Sequence, residues 1–428
     1  MTIQQTTLPN GLKIITADLI DARSLTVNIV VGTGSRYENF AVNGGVSHFL
    51  EHLLFKGTKK YPSAQAIGEA VDAVGGYNNA YTSEDLTCYY IKVPARHGEL
   101  ALDILCDMMR NPLIEADELE RERGVIIEEM NVYRDDPSRF VGTLIPGLIF
   151  PGNPLGRDII GPEEVIRTVS AEEVAAYQKE HYRPNNMTVA VAGRVDHESV
   201  VKQVTEALGS MESVEQASFE PVSETAAEQL SLGHAKETAQ AHFIIASRAY
   251  KYDHNDDMAS KVMSAILGRG SSSRLFTNVR ERQGLAYTVY CDINNYVDTG
   301  IFHAYAGVNL DKINQAVSSV LHELELIRQV PVSEAELAKA KQQLKAGLEM
   351  SLESNSSVAD RLGGHLMLLG KVQTIDETLA KIDAVTIEDI QKVAKDVLDP
   401  AKLRFAIITP EPDEATKHFE TEIIKGRK

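Results

Sequence analysis

At 428 residues the chain exceeds what a single core usually organises, and its 43% hydrophobic content is ample for two or more packed domains. A net charge of −18 argues against nucleic acid as a partner and favours cationic ligands such as basic peptides. Cys88, Cys106 and Cys291 are too few and too scattered for a disulfide framework or a CxxC metal site. No stretch reaches the roughly 18 uninterrupted apolar residues of a membrane span, and Met1–Gln5 opens no basic-then-apolar leader. The expectation is a globular, cytoplasmic protein with no membrane span.

The first strand pattern runs over Leu25–Val31. A helix follows: Asn43 can cap it, Val46, Leu50, Leu53 and Leu54 form an apolar stripe, and Gly57 can stop it. Its other side carries His48, Glu51 and His52 in the spacing H-x-x-E-H. Residues three and four apart on a helix are neighbours, so the two imidazoles can grip one metal while Glu51 projects beside it to activate a water. Gly75-Gly76 and Asn78-Asn79 are strong turn formers. A hydrolytic zinc site needs three protein ligands and an open position, so the motif is one ligand short. The helical stretch Glu115–Tyr133 offers Glu122 and Glu129, seven residues apart and so within about 20° on one face. One would ligate and the other would steady a histidine from behind. Glu118, Glu120 and Glu128 read as solvated charges. Gly32-Thr33-Gly34 and Gly268–Ser273 resemble phosphate cradles but lack a Walker lysine, and are assigned to loops.

Met211–Leu230 is rich in Glu, Ser and Ala and separates two stretches that echo one another. Val169–Val174 recurs as Val385–Ile390, and Pro184 before an apolar strand recurs as Pro400, both at an offset of 216. A second early strand pattern lies at Ala241–Ala246. The division expected is 1–211 as a metal-binding domain, 212–230 as linker and 231–428 as a homologous domain. Glu122 and Glu129 align with Ala340 and Gly347, and no second H-x-x-E-H follows residue 230, so only the first half is built to hold metal.

Together, Leu8–Leu12, His48–Thr58, Gly75–Thr82, Glu122–Pro137, Pro154–Arg157 and Ser273–Tyr287 carry a resemblance that spans nearly the whole chain. It resembles the pitrilysin, insulin-degrading enzyme and mitochondrial processing peptidase family of inverzincins, in the short bacterial-type form. The resemblance implies an α+β fold of two homologous domains, each a mixed sheet backed by helices, and two chains closing around a clam-like chamber. It implies a zinc (Zn2+) metalloendopeptidase acting on short or unfolded polypeptides, with Glu51 as general base. It selects Glu129, 77 residues after His52 and followed by Met130, as the third ligand, with Glu122 as the accessory carboxylate. It also marks Arg280 and Tyr287 as a pair that holds the substrate carbonyl and stabilises its oxyanion. Asn79 and Ala80 match a strand edge on which an extended peptide pairs. Because motif and pair share one chain, a homodimer is implied, with a heterodimer with a metal-free homologous subunit as the alternative. Where processing peptidases carry acids that select arginine near the cut, this chain has Arg139 and Thr143, which speaks against presequence-like processing. A structural subunit without turnover and a clamp that only holds peptides are the competing readings.

Overall fold

The computed structural model describes residues 1–223 and 228–426. Residues 224–227 of the expected linker 212–230, and the final two residues, lie outside the described residues. The chain forms two compact units. The first comprises Met1–Met130, Asp158–Glu220 and Glu349–Gln373; the second comprises Asn131–Arg157, Pro221–Leu348 and Thr374–Lys428. Residues 349–373, assigned from sequence to the 231–428 domain, thus belong to the first unit, and 131–157 to the second.

In the first unit, β1 (Thr2–Thr7), β2 (Lys13–Asp18), β3 (Ser24–Val31), β4 (Tyr77–Thr82), β5 (Thr87–Pro94) and β6 (Met187–Gly193) form one mixed sheet in the order β1-β2-β6-β3-β5-β4. β2 and β6 run parallel and the remaining neighbours antiparallel. β3 and β6 are central and covered on both faces, which is why they read as nearly continuous Val, Ile and Ala runs instead of alternating. The helix Asn355–Leu369 lays Val358, Ala359, Leu362 and Leu366 on Ile15, Ala17, Ala190 and Ala192. Gly363 permits that approach, since a Cβ there would stand 2.9 Å from Val30 and 3.1 Å from Ala190. Among the described residues β4, at the sheet margin, pairs with β5 alone.

In the second unit, β7 (Ser231–Ala235), β8 (Ala241–Ala249), β9 (Ala286–Asn295), β10 (Gly300–Val308) and β11 (Arg404–Thr409) are ordered β7-β11-β8-β10-β9. β7 and β11 are parallel and the rest antiparallel. This repeats β2-β6-β3-β5-β4 strand for strand, so the duplication expected from the offset of 216 is present in the topology. The helix Pro137–Ile149 packs Val141, Ile145, Leu148 and Ile149 on Ile244, Ala246, Ala406 and Ile408 of this sheet. The fold is α+β with two mixed sheets backed by helices.

Candidate metal centre

The helix Val46–Leu54 begins differently from the expected Asn43 cap. Asn43 turns back to accept the Asn39 N–H at 2.8 Å. The helix starts instead at Gly45, whose φ of +88° suits glycine and where a Cβ would fall 2.1 Å from the Ile160 carbonyl oxygen. The unpaired N–H groups of its first turn are taken by Glu38, whose two oxygens accept from Gly45 N at 2.6 Å and Ser47 N at 2.7 Å. Burial pushes the Glu38 carboxyl up to about 7, against the pull of those two backbone donors. Ser47 Oγ and Tyr177 Oη share a further hydrogen bond of 2.8 Å. Val46, Phe49, Leu50, Leu53 and Leu54 are fully buried, so the apolar stripe read from sequence is the face that docks.

The opposite face presents the motif. His48, His52 and Glu129 each offer a ligand atom, and the three atoms lie within 4.8 Å of one another. A Glu129 oxygen stands 3.7 Å from His48 Nε2 and 3.5 Å from His52 Nε2. His52 Nδ1 donates to Glu122 at 3.0 Å, and the other Glu122 oxygen meets the Lys56 ammonium. This fixes the His52 tautomer and aims Nε2 at the cluster. His48 Nδ1 is buried and finds no hydrogen-bond partner among the described residues.

The electrostatics divide the four groups. Burial, joined by the neighbouring His52 and opposed by Glu129, drops His48 to about 4, leaving it neutral with a free lone pair. Burial also works against a charged His52, but its hydrogen bonds to Glu122 and Glu129 prevail and raise it to about 9. The hydrogen bond from His52 holds Glu129 below the usual carboxylate range despite partial burial. Burial acts to raise Glu122, yet His52 and Lys56 hold it below its ordinary value. The two carboxylates thus favour positive charge beside His52, and a cation at the two Nε2 atoms would supply it. Two imidazole nitrogens and one carboxylate are the donor set of a hydrolytic zinc site with an open position, so the residues fit the metal.

Glu51 stands beside this cluster, half-buried, with its pKa raised by desolvation and partly restrained by the Thr82 hydroxyl. Thr82 Oγ1 donates to Glu51 Oε2 at 2.6 Å. Sequence reasoning missed Thr82 and Glu38. Thr82 has no spacing signal beyond ending a strand on the same face as Ala80, and Glu38 caps a helix that starts seven residues later.

Asn79 and Ala80 lie on β4, a sheet edge with backbone groups open to an added strand, where the Ala80 N–H is meanwhile held by Asn79 Oδ1 at 2.9 Å. Arg280 and Tyr287 lie in the second unit. Arg280 belongs to a π-helical segment, Phe276–Arg282, a winding often found at functional sites. Its guanidinium carbon is 5.6 Å from the Tyr287 ring and 4.5 Å from Phe276. In β9, Thr288 pairs with Gly307 and Ala286 with Val308, so Tyr287 bulges outward and is 73% exposed. The structure thus brings guanidinium and phenol side by side on an open surface.

Comparison with known proteins adds to this geometry. Residues 13–163 match the insulinase (peptidase family M16) profile, and 168–344 match the profile described as the peptidase M16 inactive domain. The chain is 36% identical over 403 residues to an uncharacterized zinc protease of Streptomyces coelicolor, covering 93% of this chain and 87% of that one. It is 34% identical over 408 residues to an uncharacterized zinc protease of Bacillus subtilis, covering 95% and 98%. A protease from Helicobacter pylori, solved by crystallography, shares the fold with a TM-score of 0.89 at 24% identity, over 96% of this chain and 100% of that one. Among the described residues no helix is long and apolar enough to cross a membrane.

Proposed function

The chain belongs to the insulinase family of peptidases, family M16, and from that premise we propose that it is a zinc-dependent endopeptidase hydrolysing short or unfolded polypeptides. The observation that carries this reading is the cluster of His48, His52 and Glu129 with the half-buried carboxyl of Glu51 beside it.

Zinc held by His48 Nε2, His52 Nε2 and a Glu129 oxygen would supply the Lewis acidity that polarises a peptide carbonyl and acidifies the attacking water. Glu51 takes the proton from that water and later returns it to the leaving amine. Burial raises its pKa above the ordinary carboxylate value, the direction that favours accepting a proton. Glu122 keeps His52 oriented and charge-compensated. An extended peptide adds to the open edge of β4 at Asn79 and Ala80, a mode that reads backbone more than sequence. The Arg280 guanidinium and the Tyr287 hydroxyl hold the scissile carbonyl and the charge that develops on it. Two chains closing a clam-like chamber, as a homodimer or with a metal-free homologous subunit, would admit only unfolded chains, and a cytoplasmic setting fits the three free, buried cysteines.

The test is removal and restoration of metal. Purified protein stripped by a chelator should lose cleavage of quenched fluorescent peptides and regain it with about one zinc per chain. Cleavage that survives complete stripping would refute the proposal.

A further inference from the structure

We propose that Thr82 is a positioning residue for the general base: its hydroxyl fixes one oxygen of Glu51 and ties the base to the strand on which a peptide would pair. This rests on the metallopeptidase reading above and names a residue outside the H-x-x-E-H motif.

Three observations carry it. The first is direction. β4 alternates sides, so Asn78, Ala80 and Thr82 share one face of the sheet while Tyr77, Asn79 and Tyr81 take the other. Thr82 Oγ1 reaches Glu51 Oε2 at 2.6 Å, whereas Tyr81 bonds Asp360 on the opposite face. The hydroxyl donates to one carboxylate oxygen and leaves the other free to work.

The second is rigidity. The turn that follows Thr82 is clamped from outside. Ser35 N donates to the Ser83 carbonyl at 3.1 Å and Arg36 N to the Glu84 carbonyl at 3.2 Å. Arg36 also meets Asp85 in a buried ion pair of 2.8 Å, their side chains 0% and 5% exposed. Gly34 packs so tightly that a Cβ would lie 2.0 Å from the Ser83 oxygen. A threonine at the root of such a turn has little freedom, which is what an orienting group requires.

The third is common origin. The segment that clamps this turn, Gly34–Arg36, runs directly into Glu38, which holds the first turn of the ligand helix. One short segment therefore sets both the start of the helix bearing His48, Glu51 and His52 and the hydroxyl that aims Glu51. Backbone pairing of a peptide along β4 would bear on the same strand that ends at Thr82, so substrate and base share one rigid support.

The experiment compares wild type, Thr82→Val and Thr82→Ser, each loaded with zinc, by steady-state cleavage of one peptide. Valine keeps the shape and removes the donor; serine keeps the donor. The expected result is a kcat about 10- to 100-fold lower in Thr82→Val, with KM, bound zinc and thermal midpoint unchanged, and recovery to within about threefold in Thr82→Ser. Equal kcat in wild type and Thr82→Val overturns the inference while leaving the peptidase reading intact. Equal loss in valine and serine variants, or loss accompanied by lower zinc content or thermal midpoint, also overturns it, because the role would then be structural. A wild type that carries zinc and cleaves nothing would overturn the peptidase reading, and this inference with it.

Discussion

Replacing Glu122 by Gln is the perturbation most directly calculable from the geometry. The carboxylate is nearly buried, with its side chain 8% exposed; it accepts from His52 Nδ1 at 3.0 Å and faces Lys56 through its other oxygen. The amide that replaces it can still accept from Nδ1, so the His52 tautomer survives. What is lost is a negative charge next to an imidazole that must donate electron density through Nε2, and the charged partner of Lys56. Loss of such an outer carboxylate typically weakens metal affinity roughly 10- to 100-fold, or about 1.4 to 2.7 kcal/mol. Competition against a chromogenic chelator measures this directly and needs no substrate. Glu128→Gln, an exposed position on the same helix, is the control and should bind zinc as wild type does. If Glu122→Gln held zinc as tightly as wild type, the argument that the charge of Glu122 strengthens His52 as a ligand would be wrong.

Other consequences follow from the same structure. The Glu38 carboxyl has a folded pKa raised to about 7 from 4.5, so the folded state retains a proton that the unfolded chain has released, and stability falls as pH rises through that window. Between pH 5 and 8 the unfolding free energy of wild type should decline by roughly 2 to 3 kcal/mol more than that of Glu38→Gln, and parallel curves by chemical denaturation would show that the Gly45 and Ser47 amides keep Glu38 ionised throughout. Gly45→Ala forces a Cβ into the Ile160 carbonyl at a positive φ, and should cost about 2 kcal/mol or more by denaturant titration and weaken zinc binding with it. Arg280→Ala and Tyr287→Phe alter a half-exposed and an exposed group of the second unit, so zinc content and melting temperature should hold while kcat falls on the order of 100-fold; unchanged turnover would remove them from the mechanism.

Much of this was legible in the chain because helix geometry is local. His48, Glu51 and His52 are placed by a single helix, and Glu122 and Glu129 by another, so spacing alone predicts shared faces, and the structure joins those faces in one cluster. The choice between Glu122 and Glu129 was not local. It depends on how two helices dock, and only the family resemblance named Glu129 as ligand, as its distances to both Nε2 atoms support. The cap was misread for a related reason. Asn43 lies where a cap belongs in sequence, but the intervening Gly44-Gly45 turns the chain so that Glu38 fills that place through tertiary contact. Thr82 is invisible for the same cause, being 31 residues from the carboxylate it touches. The duplication was readable as an offset, whereas the assignment of 349–373 to the first unit was not, since the apolar stripe of a helix does not name the sheet it will cover.

The central claim is that the Glu51 carboxyl beside a three-ligand zinc site performs peptide hydrolysis, and one measurement bears on it most directly: turnover of a mixture of quenched fluorescent peptides by zinc-loaded wild type and zinc-loaded Glu51→Gln. The account predicts cleavage by wild type and its loss in Glu51→Gln, with both proteins binding the same amount of zinc. Equal cleavage by the two, or zinc-loaded wild type that cleaves no peptide, would contradict it.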